Sequence, residues 1–202
     1  MDKILIATKN PGKVADFKAL FDQYNIKVIS LLDINPPIAD VEETGDTFSE
    51  NASIKAETIA NQLNLPVLAD DSGLSIDYLS GRPGVYSARY AGLDKDDQKN
   101  NRKVLRELEG VPDEERTAKF VCALAFAVPG RQTIIKYGTC QGKLTNKPIG
   151  ENGFGYDPIF IPDGYQQTMA QLSTEEKNAV SHRGQAIKAF ASWLDLQEEV
   201  DF

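Results

Sequence analysis

Two adjacent carboxylates interrupt an apolar stretch in the sequence VLADDSGLSID, residues 67–77. Neighbouring side chains of an extended backbone point to opposite faces, so Asp70 and Asp71 cannot both reach solvent on one polar side of a strand. Magnesium prefers hard oxygen ligands, usually one or two carboxylates with phosphate oxygens and water. Glu43, in the segment EETG, and Asp71 could form that half-shell, in which the metal keeps a carboxylate ionised to orient a water. The alternative is an ordinary Asx turn at a hairpin, and this segment alone does not decide between the two.

Basic residues stand at two places where they could meet a phosphate. The segment TKNPGK, residues 8–13, lies between a predicted strand and a predicted helix, where free N–H groups, the helix dipole and Lys13 favour an anion. It matches neither GxxxxGK[ST] nor GxGxxG, so a plain turn is an equal alternative. Lys55 lies three residues after Ala52 and four before Ile59, on or beside an apolar helical stripe. Its side chain either snorkels along that stripe to water or meets an anion.

A third group of polar residues could contact a planar base. It comprises the glycine-rich segment Gly153–Asp157 and the later residues Lys177, Ser181, His182 and Arg183. Phe154 could stack on a base while the basic side chains donate to a carbonyl oxygen; the alternatives are a core Phe154 and a structural His182. No grouping has the spacing of a zinc site, and Ser72 lacks a GxSxG segment, so we set aside zinc hydrolysis and serine acyl transfer.

The elements that must position these residues mix strands and helices. Strands are predicted at residues 3–8, 27–32, 67–77, 117–128, 132–140 and 159–161. Helices are predicted after Asn10, from a capping box at 47–50 to about Asn64, after an Asp94 cap, after a capping box at 173–176, and over the last apolar stripe. The strands at 117–128 and 132–140 are expected to form a hairpin beside a β-α-β opening. The predicted fold class is α/β, with a mixed central sheet flanked by helices.

Composition describes an ordinary globular chain. Its 202 residues contain no linker-like segment, so we expect one domain over 1–202. No apolar run approaches the roughly 20 residues of a membrane span, which predicts no membrane partner. The start Met1-Asp2-Lys3 lacks the pattern of a secretion signal, so the cytoplasm is expected. Cys122 and Cys140 have neither disulfide nor zinc spacing and are expected to be buried thiols.

The charge of the chain limits its partners. A net charge of −8 and a pI near 4.8 argue against a broad surface for DNA or RNA. A small anionic ligand would need local help from lysine, arginine, a metal or helix N-termini.

Read together, the motifs resemble those of the inosine triphosphate pyrophosphatase family, the Ham1/RdgB-like enzymes, from residue 4 to about 190. The matching segments are T-x-N-x-x-K at 8–13, E-E-T-G at 42–45, F-x-E-N-A-x-x-K-A at 48–56, A-D-D-S-G-L at 69–74, G-x-Y-S-A-R-Y at 84–90, G-F-G-Y-D-P at 153–158 and S-H-R-G-x-A at 181–186. The resemblance implies magnesium-dependent hydrolysis of dITP, ITP, XTP and dXTP to monophosphate and pyrophosphate. It also implies two lobes with a substrate cleft between them, and a homodimer.

The same resemblance assigns roles to matching residues. The triphosphate would be bound by Thr8, Lys9, Asn10, Pro11, Gly12, Lys13 and Lys55. Glu43 and Asp71 would hold Mg²⁺, Asp71 would also accept the proton of water, and Asp70 would either assist the metal or brace the turn. Substrate would further be contacted by Ser72, by Phe154, Gly155, Tyr156 and Asp157 at the nucleoside, and by Lys177, His182 and Arg183 at the base.

Three other functions compete with this hypothesis. A nucleotide-binding regulatory module would use the same residues without turnover. A Maf-like pyrophosphatase acting on dTTP or UTP suits the SHR and GFGYD segments less well. A purely structural interaction protein gives no reason for an inward-facing Lys55 near several carboxylates.

Overall fold

A six-stranded sheet organises the residues that the computed structural model describes, which are 3–197. In chain order its strands are β1 (Lys3–Ile6), β2 (Lys27–Ser30), β3 (Val67–Ile76), β4 (Thr117–Ala127), β5 (Ile134–Leu144) and β6 (Phe160–Pro162). They are hydrogen-bonded in the order β2-β1-β3-β4-β5-β6. Strand β1 is parallel to β2 and to β3, whereas β6 is antiparallel to β5. The predicted mixed sheet and α/β class are confirmed.

The described residues also form α-helices, and α1, α2 and α4 begin at caps that the sequence predicted. They are α1 (Pro11–Asp22), α2 (Phe48–Leu63), α3 (Asp97–Glu107), α4 (Thr174–Val180) and α5 (His182–Gln197). Helix α1 has its Asn10 cap, and capping boxes open α2 and α4 at Thr47 and Ser173, as predicted. No helix among residues 3–197 is long and apolar enough to cross a membrane.

Several predicted boundaries differ from the structure: β1 ends at Ile6 rather than at residue 8, and β5 runs to Leu144 rather than to residue 140. Two further differences have a local polar cause. Helix α3 is capped by Asp96, whose Oδ1 accepts from the N–H of Lys99 at 3.0 Å, while Asp94 pairs with the Lys99 ammonium instead. The strand predicted at 27–32 ends at Ser30, because Ser30 and Asp33 form a capping box that opens a 3-10 turn. In both places a short polar side chain binds the nearest free backbone N–H, which apolar periodicity does not register.

By their contacts the residues divide into two compact units. The first contains the chain up to Asp71, Cys122–Gly138 and the residues from Arg183 onward; the second contains Ser72–Val121 and Thr139–His182. Within the first unit, Ile6 of β1 and Leu68 of β3 pack in one apolar cluster with residues of α1 and α5. The intervening side chains of the same strands pack in another cluster with α2. Helices α1 and α5 therefore cover one face of these strands, and α2 covers the other.

The second unit has its own core, which an arginine helps to hold together. Side chains from β3, α3, β4 and β5 form its apolar cluster. Arg116 is only 1% exposed and donates to three backbone carbonyls, those of Leu144 at 3.0 Å, Leu108 at 2.8 Å and Thr145 at 2.6 Å. Burial lowers the pKa of Arg116. Its guanidinium thus joins three backbone carbonyls from separate segments of this unit.

Candidate active site

Strand β3 carries both carboxylates of the opening motif without a turn. It runs unbroken from Val67 to Ile76, so the Asx-turn alternative is wrong for Asp70 and Asp71. The two side chains are 1% and 7% exposed. Asp70 shares the face of Leu68, which α1 and α5 cover, and Asp71 shares the face of Ala69, which α2 covers. Strand β3 therefore places one carboxylate on each face of the sheet.

Asp70 lies among cations contributed by the two helices on its face. Its Oδ2 is 2.8 Å from Nζ of Lys13 and 3.6 Å from Nη2 of Arg183. Burial alone would raise the pKa of Asp70, but the charges of Lys13 and Arg183 hold it well below its usual range. Arg183 is buried and also pairs, through Nη1, with Oδ2 of Asp16 at 2.6 Å. This environment favours a bracing role for Asp70, and it places the predicted base reader Arg183 beside Lys13.

Asp71 lies on the other face, beside α2. Its Oδ2 accepts from Nδ2 of Asn51 at 3.1 Å. Burial, and next the charge of Glu43, raise the pKa of Asp71 to about 6. The nearby Glu43 is paired with the ammonium of Lys55, which also donates to the backbone oxygen of Asp70 at 3.0 Å. The prediction that Lys55 meets an anion is therefore correct for a protein anion, Glu43.

The Glu43 and Asp71 pair fits a hard divalent cation. The two carboxylates are near enough for one to disfavour ionisation of the other, and a cation between them would remove that penalty. Among residues 3–197, no cluster of three or more His, Cys, Asp or Glu side chains is arranged to hold a metal. A site with two protein carboxylates suits Mg²⁺, whose remaining ligands come from phosphate and water.

Several polar groups of the TKNPGK turn, residues 8–13, already bind other groups of the protein. Oδ1 of Asn10 accepts from the N–H groups of Gly12 and Lys13 at 2.9 and 3.2 Å, and Oγ1 of Thr8 accepts from the Asn10 N–H at 3.2 Å. Lys9 donates to the carbonyl of Ile38 and pairs with Asp40 at 2.7 Å. Pro11 occupies the first position of α1. Of the predicted phosphate-binding residues in this turn, Lys13 is the one directed at Asp70.

In the second unit, Asp157 organises the glycine-rich segment. Its Oδ2 accepts from the N–H of Phe154 at 3.0 Å and pairs with Lys177 at 2.7 Å. The Lys177 ammonium also lies 5.0 Å from the centroid of the half-buried Phe154 ring. Gly153 has φ +77°, and a Cβ there would lie 2.0 Å from the same carboxylate oxygen. The structure therefore brings together Phe154, Asp157 and Lys177, and it requires glycine at 153.

Other residues of the second unit hold the same segment from outside it. Asp97 and Asn101 of α3 bind the N–H and the carbonyl of Gly155 at 2.6 and 2.9 Å. The hydroxyl of the buried Tyr156 donates to the carbonyl of Ser87 at 2.7 Å. Tyr156 thus packs in the core of its unit.

The last two predicted residues are Ser72, inside β3, and His182, the first residue of α5. Ser72 follows Asp71 directly in β3 and is half-buried. His182 is 7% exposed and stacks on Phe120, with ring centroids 4.8 Å apart and planes 13° from parallel. This packing gives His182 the structural partner that the alternative interpretation expected, and its role toward a base stays a prediction.

Sequence reasoning missed four residues at these sites: Asn51, Asp16, Asp97 and Asn101. One signal was available for Asn51. It stands four residues before Lys55, so both side chains emerge on one face of α2, next to the buried Ala52. A buried amide beside an inward lysine predicts a polar contact. For the other three, no local pattern marks the partner, because the contacts join segments distant in sequence.

Comparison with known proteins identifies the family of this chain. The model of the Ham1 family matches residues 4–193. The chain belongs to the Ham1 family. This membership confirms the resemblance drawn from the motifs.

Curated Ham1-family relatives are similar along nearly the whole chain. A protein of Halalkalibacterium halodurans named dITP/XTP pyrophosphatase is 56% identical over 195 residues, which are 96% of this chain and 100% of the relative. A Geobacillus kaustophilus protein of the same name is 57% identical over 197 residues, covering 97% and 96% of the two chains. The solved structure of the Staphylococcus aureus Ham1 protein superposes with a TM-score of 0.85 at 45% identity, covering 97% of this chain and 100% of that one.

Proposed function

We propose that this Ham1-family protein is a dITP/XTP pyrophosphatase that uses Mg²⁺ to hydrolyse dITP, ITP, XTP and dXTP to the monophosphate and pyrophosphate. The names of its relatives support the activity. The observation that carries the proposal is the pair formed by the buried Asp71 and the half-buried Glu43. Glu43 is paired with Lys55, and Asp71 is the neighbour in β3 of Asp70, which pairs with Lys13. Removal of deaminated purines from the nucleotide pool would follow from this activity.

The chain's own residues suit an attack by water on the α-phosphorus. Asp71 in its ionised form accepts a proton from the water as the new P–O bond forms, and the bond to the β-phosphate oxygen breaks. Lys13 and Lys55 supply positive charge where negative charge develops on phosphate oxygens. Glu43 and Asp71 would hold Mg²⁺, which supplies Lewis-acid stabilisation of the phosphates when bound. Concentrating cations here lets an acidic protein bind a polyanion.

We propose that hydrogen-bond donors of the protein select the base of the substrate. Lys177, His182 and Arg183 would donate to the 6-oxo group of hypoxanthine or xanthine, with Phe154 stacked on the ring. Adenine presents an amino group at that position, so a donor of the protein would face a donor of the base. This mismatch would lower the rate for adenine nucleotides by orders of magnitude. Asp157 supports this part of the proposal, because it fixes both Phe154 and Lys177.

We extend the proposal to the setting of the protein, on the family resemblance. The substrate partner is a small nucleoside triphosphate, the protein works as a homodimer in the cytoplasm, and it binds neither a nucleic acid polymer nor a membrane. The net charge of −8 supports the absence of a nucleic acid polymer.

A pyrophosphate-release panel tests the proposal. Purified protein is given dITP, XTP, dATP, dGTP, dTTP and UTP, each with Mg²⁺ and with a chelator. We expect release from dITP and XTP that depends on Mg²⁺ and exceeds release from dATP at least about 100-fold. Equal rates for dITP and dATP would refute the base-recognition part. Preference for dTTP or UTP would favour the Maf-like alternative, and binding without product would favour the regulatory module.

A further inference from the structure

One face of α2 contacts both carboxylates of the proposed metal pair. Asn51 and Lys55 are four residues apart, so their side chains emerge one above the other. Asn51 donates to Asp71, and Lys55 pairs with Glu43. Lys55 belongs to the phosphate-binding residues already proposed. Asn51 has no role in the proposed reaction.

Asn51 is built into a rigid position. It is 1% exposed and lies in the first turn of α2, which the Thr47 and Glu50 capping box closes. Its Oδ1 accepts from the N–H of Gly45 at 2.7 Å, while its Nδ2 donates to Oδ2 of Asp71 at 3.1 Å. The amide is thus oriented by the Gly45 bond, which leaves the NH₂ group facing the carboxylate.

The approach of Gly45 depends on its missing side chain. A Cβ there would lie 2.9 Å from Oδ1 of Asn51 and 2.6 Å from Cβ of Glu50. Glycine is therefore needed for the segment EETG to reach the amide. Gly45 stands two residues after Glu43, so Asn51 connects the segment that carries one carboxylate to the side chain of the other.

We propose that Asn51 is a positioning residue that fixes the rotation of the Asp71 carboxylate and its placement relative to Glu43. The inference deepens the proposed function, because it assumes that this pair serves the metal and the water. A carboxylate with one oxygen bound to a fixed donor presents its other oxygen in one direction. Partners of this kind orient metal ligands, and their loss commonly costs about 10-fold to 100-fold in activity or metal affinity.

Two variants separate positioning from simple support of the fold. Asn51→Leu keeps a similar volume and removes both hydrogen bonds. Asn51→Asp keeps the shape and the acceptor for the Gly45 N–H, but replaces the donor to Asp71. Asn61→Leu is the matched control, because Asn61 is exposed on the same helix.

Steady-state kinetics with dITP should show a split between kcat and KM. We expect both Asn51 variants to lower kcat about 10-fold to 100-fold, with KM changed less than about 3-fold, because Lys13 and Lys55 are unaltered. The half-saturating Mg²⁺ concentration should rise. Tryptophan fluorescence and thermal melting give the folded fraction of each sample, by which every rate is divided. Asn61→Leu should match the wild type throughout.

Calorimetric titration gives a readout that does not need turnover. The α,β-imido analogue of dITP is titrated into wild type and variants at several Mg²⁺ concentrations. We expect the apparent Mg²⁺ affinity to fall about 10-fold in the Asn51 variants, whereas a merely structural role would leave it unchanged in folded protein.

The outcomes separate this inference from the function on which it rests. If the wild type releases no pyrophosphate from any nucleotide, the proposed function fails. If the wild type is active and folded Asn51→Asp or Asn51→Leu matches it in kcat and in Mg²⁺ affinity, the positioning role alone is refuted. Failure of both variants to fold would assign Asn51 to stability and would also overturn the inference.

Discussion

The buried carboxylate of Asp71 should cost the metal-free protein stability, and replacing it by its neutral isostere should recover that stability. Asparagine has nearly the shape of a protonated aspartic acid, so Asp71→Asn approximates the uncharged state. Its amide oxygen can still accept from Asn51. We therefore expect Asp71→Asn to lose pyrophosphate release and, in the absence of divalent metal, to be more stable than the wild type.

The magnitude follows from the pKa of Asp71, which rises from an ordinary 3.8 to about 6. Between these values the native state holds a proton that the unfolded state has released, so the free energy of unfolding falls as pH rises. Each pH unit is worth about 1.4 kcal/mol, which gives about 3 kcal/mol for the whole interval. Above about pH 6 the whole of this stability is lost. Near pH 4.5 the same linkage gives a loss of only about 1 kcal/mol.

Urea denaturation in EDTA measures this difference. Trp193, the single tryptophan of the chain, packs against Phe126 and Phe190 in the same unit as Asp71, so its fluorescence reports that unit. The variant should exceed the wild type by about 3 kcal/mol near pH 8, and the gap should narrow toward pH 4.5. Asp22→Asn, at an exposed position of α1, is the control and should change stability by less than about 0.5 kcal/mol.

Two results would contradict the reasoning. A variant no more stable than the wild type near pH 8 would mean that the Asp71 carboxylate is not penalised in the native state. A stability gain that is the same at both pH values would mean that it does not arise from ionisation. Pyrophosphate release by Asp71→Asn at the wild-type rate would separately remove Asp71 as the proton acceptor.

Two further substitutions test charges held in the two units. Lys55→Met removes the cation that pairs with Glu43, and we expect kcat/KM for dITP to fall at least about 100-fold. Lys55→Arg should recover part of this activity. Initial rates of Lys55→Met above half of the wild-type rate would be inconsistent with a role of Lys55 in binding phosphate. Arg116→Met removes a donor from three backbone carbonyls, of which that of Leu108 keeps the N–H of Val111, and should lower the free energy of unfolding by about 3 to 5 kcal/mol in chemical denaturation followed by circular dichroism. An unchanged denaturation midpoint would show that those carbonyls find other donors.

The sequence predicted the fold where the controlling interactions are local. The Asn10 cap and the capping boxes at Thr47 and Ser173 are formed within three residues of the helix start, and the strands follow apolar runs. The placement of Asp70 and Asp71 on opposite faces also follows from the two-residue period of a strand. The Asp94 cap failed because three carboxylates, Asp94, Asp96 and Asp97, stand close together there, and the sequence does not say which one turns toward the helix.

The contacts that define the candidate site could not be read in the same way. Asn51 and Asp71 are 20 positions apart, and Asp16 and Arg183 are 167 apart. Such pairs depend on which helix covers which face of β3, and that is decided by packing of the whole unit. Residue types therefore indicated a cluster of charge, while the partner of each charge came from the structure.

The pairing of β3 with β1 restricts how this chain can vary in length. Leu5 lies opposite Val67 and Ile6 opposite Leu68. Slipping β3 by one residue along β1 would turn the Asp70 side chain toward α2 and the Asp71 side chain toward α1 and α5, exchanging the surroundings of the two acids. Insertions and deletions should therefore be tolerated in the surface connection between α2 and β3, and rejected within Val67–Asp71.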